Sequence, residues 1–389
     1  MRKETLVLLL VAVLLPCLPA WGQESSSADA SGTGISRSFN PAISVNTLFY
    51  AMASSEDSQL WPGMGLEPGM HLQEASVEMT SNVDVYLNSK LVLSGEEEGG
   101  VEVEEAYVST LQLPVPVTIK GGKMLNTFGR HNLYHLHHMA FAEPPMILSQ
   151  VFGPDLNEVS VEASYLVPVP WYMDLTAGVL NGENQYLFDG DEQDDYAYLV
   201  HLDNVWGLSD EWTMRLGGSF LTGEKGLHYP DEDRTPVPAT IDEIISEVWG
   251  ADLHLRWRPL EKGRYRSFTL QGEYVEARLN IDGERTDPLR GYFVQALAKF
   301  KLKYWLQARY GFMNRPEELH PYFPEPAGAD FVPSNDLDGE RYSFAAAYVP
   351  TEFSAYRIQY NVIRIEDDYE YQVAAQVNVT IGSHPAHKY

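Results

Sequence analysis

Four histidines fall close together at His131, His135, His137 and His138, inside the stretch GGKMLNTFGRHNLYHLHHMAFAEPPMILSQVFGP at 121–154. Three neutral imidazoles can hold zinc and leave the fourth position to water, and imidazole also suits copper or nickel. On a helix over 130–139, His131, His135 and His138 recur at i, i+4 and i+7 and share one face. Glu143 could add a carboxylate, and the Pro144-Pro145 pair ends any helix directly after it. No HExxH pattern is present. The plainer alternative is a set of polar loop side chains hydrogen-bonding across a wet interior. No cofactor is required; zinc is the one the cluster invites.

Such a segment must be positioned by something. A strand-like run, VPVTIKGG, leads in, and an alternating run, DLNEVSVEASYLV, leads out. The connection between them, 125–154, is about thirty residues long, and connections of that size are usually functional or disordered. The pattern of the whole chain decides what it connects.

The chain opens with Arg2 and Lys3, an apolar run from Leu6 to Leu15 and Ala20-Trp21-Gly22. A basic start, an apolar run near ten residues and a small-residue cut site describe a secretory signal peptide, here 1–22. A flexible Ser/Gly/Ala-rich lead-in follows at 23–38. Cys17 is the single cysteine and leaves with the signal. The mature chain then holds together in an oxidising compartment without disulfides, and thiolate chemistry and cysteine zinc sites are excluded. The formal net charge of −28 repels nucleic acid. With a mean hydropathy of −0.26, a membrane form of this chain has to be a β-barrel.

From Phe39 to the C-terminus, two-residue alternation is broken by turns. In the last strand Tyr369, Tyr371, Val373, Ala375, Val377, Val379 and Ile381 share one face, and Glu370, Gln372, Gln376, Asn378 and Thr380 the other. Stretches 211–221, 248–258 and 353–363 repeat the pattern. The runs last roughly ten to thirteen residues, long for a soluble strand and right for a tilted strand crossing a bilayer. A soluble secreted β-sandwich stays open as an alternative. Candidate strands lie at 41–52, 70–80, 82–93, 101–110, 115–124, 155–167, 171–180, 194–203, 211–222, 245–258, 266–278, 289–301, 303–313, 340–350, 353–364 and 369–382. Connections between them alternate short and long, as in outer-membrane barrels. The expected fold is therefore all-β: a transmembrane antiparallel β-barrel over 39–389, of about sixteen strands, with the loop after strand 5 folded into the lumen.

On that layout Arg130, Tyr134 and Glu143 line a constriction. By parity the lumen carries Glu158, Glu162, Asp174, Asp252 and Glu273 against Arg215, Arg256, Arg258, Lys299, Arg309 and Arg357. Opposed acidic and basic walls select by charge and size. Glu102, Glu104 and Glu105 near a rim lean the expectation toward cations. Acidic outer loops hold Glu96–Glu98, Asp189–Asp195, Asp231–Asp233 and Asp242–Glu243. They could bridge divalent cations on lipopolysaccharide, though charge runs are mostly solvated faces. No GxSxG, Walker or dinucleotide fingerprint appears, so an enzyme is not expected.

Several fragments carry a resemblance: FNPAISV at 39–45, VEVEEAYV at 101–108, GKMLNTFGRHNLYHLHHMAFAEPPMI at 122–147, FLTGEKG at 220–226, GADLHLRWRP at 250–259, LQGEYV at 270–275 and the tail IGSHPAHKY. The chain resembles the Gram-negative outer-membrane proteins labelled zinc-regulated TonB-dependent outer membrane receptors. In strand rhythm and size it is more distantly similar to phosphate-selective porins. The resemblance implies an outer-membrane barrel linked to metal, especially zinc, homeostasis. The expected function is passive diffusion of small solutes or ions; a metal-binding receptor using the histidine loop is the alternative. Expected partners are outer-membrane lipid and lipopolysaccharide, solutes or metal ions and the barrel-assembly machinery. Monomer and homo-oligomer both stay open.

Overall fold

A computed structural model describes residues 41–56, 65–95, 100–188, 195–225, 244–316, 319 and 337–382. The expected signal peptide and lead-in, most of the acidic outer loops and the tail containing Pro385 lie outside these residues.

Sixteen antiparallel strands form one sheet that closes on itself. They are β1 (Ala42–Ser54), β2 (Gly69–Asn82), β3 (Leu87–Gly95), β4 (Val101–Thr110), β5 (Val117–Leu125), β6 (Asn157–Leu166), β7 (Tyr172–Leu180) and β8 (Ala197–Gly207). The rest are β9 (Trp212–Glu224), β10 (Ile244–Trp257), β11 (Ser267–Ile281), β12 (Leu289–Phe300), β13 (Tyr304–Arg315), β14 (Leu337–Thr351), β15 (Ser354–Ile365) and β16 (Asp368–Gly382). A two-residue bridge, Glu284–Arg285, folds back on the end of β11. β1 pairs with β16 from Ser44 opposite Gly382 to Ser54 opposite Gln372, and that seam leaves no open edge.

Each of the sixteen expected strands is present. The turn expected at Ser81 lies instead at Val83–Tyr86, where the Asp84 carboxylate accepts hydrogen bonds from the amides of Tyr86 (2.7 Å) and Leu87 (2.9 Å). A short polar side chain that satisfies its own backbone two residues on outweighs the apolar look of VDVY.

The faces divide as the alternation requires. On β15, Tyr356, Ile358 and Tyr360 are exposed outward, while Arg357, Gln359 and Asn361 are buried inward. Apolar side chains left facing out suit lipid, and the closed ladder of strand pairs keeps backbone groups bonded within the wall. Aromatic rings gather on the outside at the short-turn end, in the contacts Trp171–Trp206, Trp212–Trp257 and Tyr304–Tyr348. A second set, Tyr292, Tyr310 and Tyr342, lies toward the long-connection end. Two such girdles mark the interfaces of a membrane barrel.

Toward the long-connection end the alternation inverts. Leu199, Leu221, Val248, Val275, Leu279, Phe293, Met313 and Ile363 point inward and are buried. At the same height the outward positions carry ion pairs, Arg278–Glu276 at 2.6 Å and Arg364–Glu340 at 3.4 Å. The outer ends of these strands thus present a wet exterior and a dry interior, the reverse of the lipid-facing band.

Candidate functional site

The connection after β5 fills that dry interior. After Leu125 the chain turns into the barrel, runs through two short 3-10 turns and one helix, α1 (Met146–Phe152), and returns at β6. All seven residues of α1 are buried. Met146, Ile147, Leu148, Val151 and Phe152 of the helix, with Phe128 and Leu156, form one apolar cluster with inward side chains of β7 to β15. Phe128 and Phe152 meet edge to face at 5.0 Å. Gly250 leaves the room, since a Cβ there would lie 2.7 Å from the Phe128 ring.

Polar side chains of the wall hold the loop backbone. Glu162 accepts from Thr127 N (2.9 Å) and Thr127 Oγ1 (2.7 Å). Glu273 accepts from the amides of Arg130 (3.0 Å) and His131 (2.6 Å). Gly129 adopts a left-handed φ of 59°, and any side chain there would strike Glu273. Glu158 accepts from the amides of Gly182 (2.7 Å) and Asn184 (3.0 Å), so it anchors the next outer connection instead. Arg357 Nη2 donates to Met139 O (2.8 Å), and Asn378 Nδ2 to His137 O (3.1 Å).

Glu143 is the central fastening. Its carboxylate, 2% exposed, receives Arg309 Nη2 at 2.8 Å and Gln359 Nε2 at 2.7 Å, while its carbonyl receives Arg309 Nη1 at 2.9 Å. Arg341 Nη1 lies 3.8 Å away. This carboxylate is committed to the wall and is not offered to the histidines.

The helix expected over 130–139 is absent. His131–Leu133 and Leu136–His138 are 3-10 turns, and His135 between them is extended, with φ −61° and ψ 154°. His131 is therefore separated from the others and packs edge-on against Tyr134 and Phe293. Burial, aided by Arg309, pushes its imidazole down to about 3, so it is neutral. His135, His137 and His138 remain together, with ring centroids 4.2–6.2 Å apart. Carboxylates take their nitrogens: His135 Nδ1 lies 2.7 Å from Glu104, His135 Nε2 2.9 Å from Glu105, and His137 Nδ1 3.2 Å from Glu74. Among the described residues no group of three or more His, Cys, Asp or Glu has a metal-holding geometry.

Two β-bulges make these contacts. Between β3 and β4, Val92 opposes Glu105 but Leu93 opposes Val103, so Glu104 is an extra residue and both carboxylates reach inward to His135. Between β1 and β2, Leu48 opposes Glu74 but Phe49 opposes Leu72, leaving Gln73 extra. Gln73 Nε2 then donates to Ala142 O (2.7 Å), beside Glu74 on His137. A bulge re-aims side chains at the cost of one unpaired residue. Glu104 and Glu105 consequently face the lumen and do not mark a rim.

Burial opposes charge on His135, but its hydrogen bonds to Glu104 and Glu105 overcome this and push it up to about 10. Lys90, 2.5 Å from Glu105, faces the same carboxylates. A folded-state value above the ordinary 6.5 stabilises the docked loop fully below about pH 6.5. That stabilisation is lost as pH rises through about 10. Conductance recorded from neutral pH upward should therefore rise near pH 10, and H135Q should show a weaker step.

Beneath the loop, toward the short-turn end, lies a cavity of about 550 Å³ lined by Glu78, Lys90, Glu105, Tyr134, His135 and His254, among others. A second space of about 500 Å³ is bordered by Asp174, His201, Asp203 and Arg215. The sequence-derived lumen charges thus separate. Glu158, Glu162, Glu273, Arg309 and Arg357 are spent on inward-folded connections, whereas Asp174, Asp252, Arg215, Arg256, Arg258 and Lys299 belong to the wall below. Gln73, Glu74, Lys90, Gln359 and Asn361 were not singled out from the sequence; inward parity was the only signal for the last four, and Gln73, at a bulge, had none.

No family model matches the chain. An uncharacterised protein of Aquifex aeolicus is 28% identical over 372 residues, 89% of this chain and 75% of that one. Among solved structures, the outer-membrane protein OmpT of Vibrio cholerae aligns with a TM-score of 0.56 at 12% identity, covering 89% of this chain and 99% of that one. The anion-selective porin from Comamonas acidovorans gives 0.55 at 11%, covering 88% and 98%. The outer-membrane channel DcaP of Acinetobacter baumannii gives 0.55 at 10%, covering 88% and 96%. The fold is the outer-membrane β-barrel. The resemblance to zinc-regulated TonB-dependent receptors finds no support in these matches. Sixteen strands also fall short of the 22 of a TonB-dependent barrel, and here a loop of the barrel itself occupies the lumen.

Proposed function

We propose that this chain is an outer-membrane channel for passive diffusion of small hydrophilic solutes, its bore set by the loop at 125–154. The observation that supports it is the combination of a closed barrel, a cavity of about 550 Å³ with charged residues on its lining and a loop fastened across the lumen above it. Neighbours described as a porin and a channel share the barrel. Two lipid-interface girdles and the signal-like start agree with insertion in the outer membrane among its lipid and lipopolysaccharide. On this reading solutes move down their own gradients.

The protein, refolded in detergent and added to planar bilayers, should give discrete conductance steps with linear current–voltage behaviour. Membranes that stay silent while the protein shows heat-modifiable gel migration would overturn the channel. The metal-receptor alternative is disfavoured by the carboxylates on His135 and His137. Zinc titrated to micromolar levels should bind without defined stoichiometry and leave conductance unchanged.

A further inference from the structure

We propose that the wall of β9 to β12 below the loop is a binding site for small oxyanions, carboxylates or phosphate, and makes the channel anion-selective; this rests on the channel reading above. Strand register assembles the site. His254 on β10 stands opposite Arg215 on β9 and Gln271 on β11. One inward position nearer the short-turn end, Arg256 lies opposite Thr269, itself opposite Leu297 on β12. The next inward position brings Arg258, just past the end of β10, level with Ser267, whose partner is Lys299. Same-face neighbours on a strand are about 7 Å apart and strands about 4.8 Å apart. These groups therefore form a short ladder along the wall. Arg130 on the loop is near enough for its charge to act on His254 and Arg256.

Little on the wall cancels this charge. Arg215 Nε pairs with Asp203 at 2.5 Å. Above His254 the same face carries two further carboxylates, Asp252 and, opposite it on β11, Glu273, which is taken up by the loop amides. Among the described residues the side-chain nitrogens of Arg130, Arg256, Arg258 and Lys299 make no ion pair with a carboxylate within 4 Å. Two are held by aromatic faces: Arg130 lies 5.6 Å from the Tyr134 ring and Lys299 5.1 Å from Trp305. A ring positions a cation without neutralising it. Nε of Arg130 and of Arg256 is buried without a hydrogen-bond partner, a cost that an oxyanion would relieve. Guanidinium matches carboxylate and phosphate geometry by paired donors. His254, Thr269 and Gln271, the neighbours of these basic residues on the wall, line the cavity of about 550 Å³ and add uncharged polar groups.

The facing wall offers cations no comparable site. Glu105 is taken by Lys90 and His135, Glu104 by His135, and Glu78 lies 3.8 Å from Lys90. Acidic residues dominate the composition; below the loop Glu78 and Glu105 face Lys90 and Asp203 faces Arg215, while Asp174 and Asp252 have no basic side chain within 4 Å among the described residues.

Reversal potentials in a potassium chloride gradient test the selectivity. The full chain should favour chloride several-fold over potassium. R256Q/K299Q should lose that preference, and R256K/K299R should keep most of it, with all three showing the same heat-modifiable migration. Sodium succinate and inorganic phosphate, titrated separately, should each reduce chloride current in the native channel and act more weakly on R256Q/K299Q. Block by only one assigns the site to carboxylates or to phosphate. Conducting channels that prefer potassium, or that resist both anions, overturn the proposal. If no channel forms, the channel reading fails first. Equilibrium binding of succinate and phosphate to the detergent-solubilised protein then decides the site, and equal binding by R256Q/K299Q or none by the native chain overturns it.

Discussion

Replacing Glu143 with alanine is expected to free the inner loop, raise single-channel conductance several-fold and lower thermal stability. The carboxylate is buried against Arg309 and Gln359, with Arg341 close by. Removing one member of such a set leaves guanidinium groups dry and uncompensated, which costs roughly 3–5 kcal/mol. Residues 139–142 are attached to the same wall by Arg357 and Gln359, so the loss should propagate along the loop. E143Q keeps the shape and some hydrogen bonds and should fall between the two. A double variant, E143L/R309M, removes both charges and should recover part of the stability. Single-channel recording with thermal melts of the three variants checks the series. Unchanged bore and unchanged melting in E143A would mean the loop is held by its apolar contacts alone.

Phe152→Ala should destabilise the protein by about 3–5 kcal/mol, the usual cost of emptying a packed aromatic site. The ring is 1% exposed and meets Phe128 inside the barrel. An outward aromatic of similar size, Tyr356, is 37% exposed, and its truncation should cost roughly 0.5 kcal/mol in detergent. Denaturant or thermal melts of both variants compare the two faces directly. Equal effects would show that the loop and helix α1 add little to the barrel. F152A should leave ion selectivity intact, because the basic ladder lies on the wall below the apolar cluster.

Much of the wall was legible from sequence. Residues such as Tyr356, Ile358 and Tyr360 alternate with Arg357, Gln359 and Asn361, and a strand crossing a bilayer gives that rhythm over such lengths. The position of the long loop was equally plain, since nothing between Leu125 and Leu156 alternates. What stayed hidden depends on single residues. An extra Gln73 or Glu104 changes neither composition nor hydropathy, yet it decides that two neighbouring side chains point the same way. The histidines looked helical because their spacing fits 3.6 residues per turn. Pairing of His135 and His137 with wall carboxylates instead holds two 3-10 turns around an extended residue. Inward apolar positions such as Val275 and Leu279 broke the expected lumen polarity, because their partner is the loop, whose docking no strand period encodes.

The two bulges give the molecule an adjustment that is discrete. In a regular strand, altering what the lumen presents means exchanging side chains one by one, each against its own neighbours. Here an insertion of one residue in β2 and one in β4 rotates a second polar group toward the loop, while the pairing on either side continues. Lineages that gain or lose such a residue would retune the throat stepwise, with lipid-facing surface and strand number untouched. Related barrels could then differ in permeability with walls that look the same from outside.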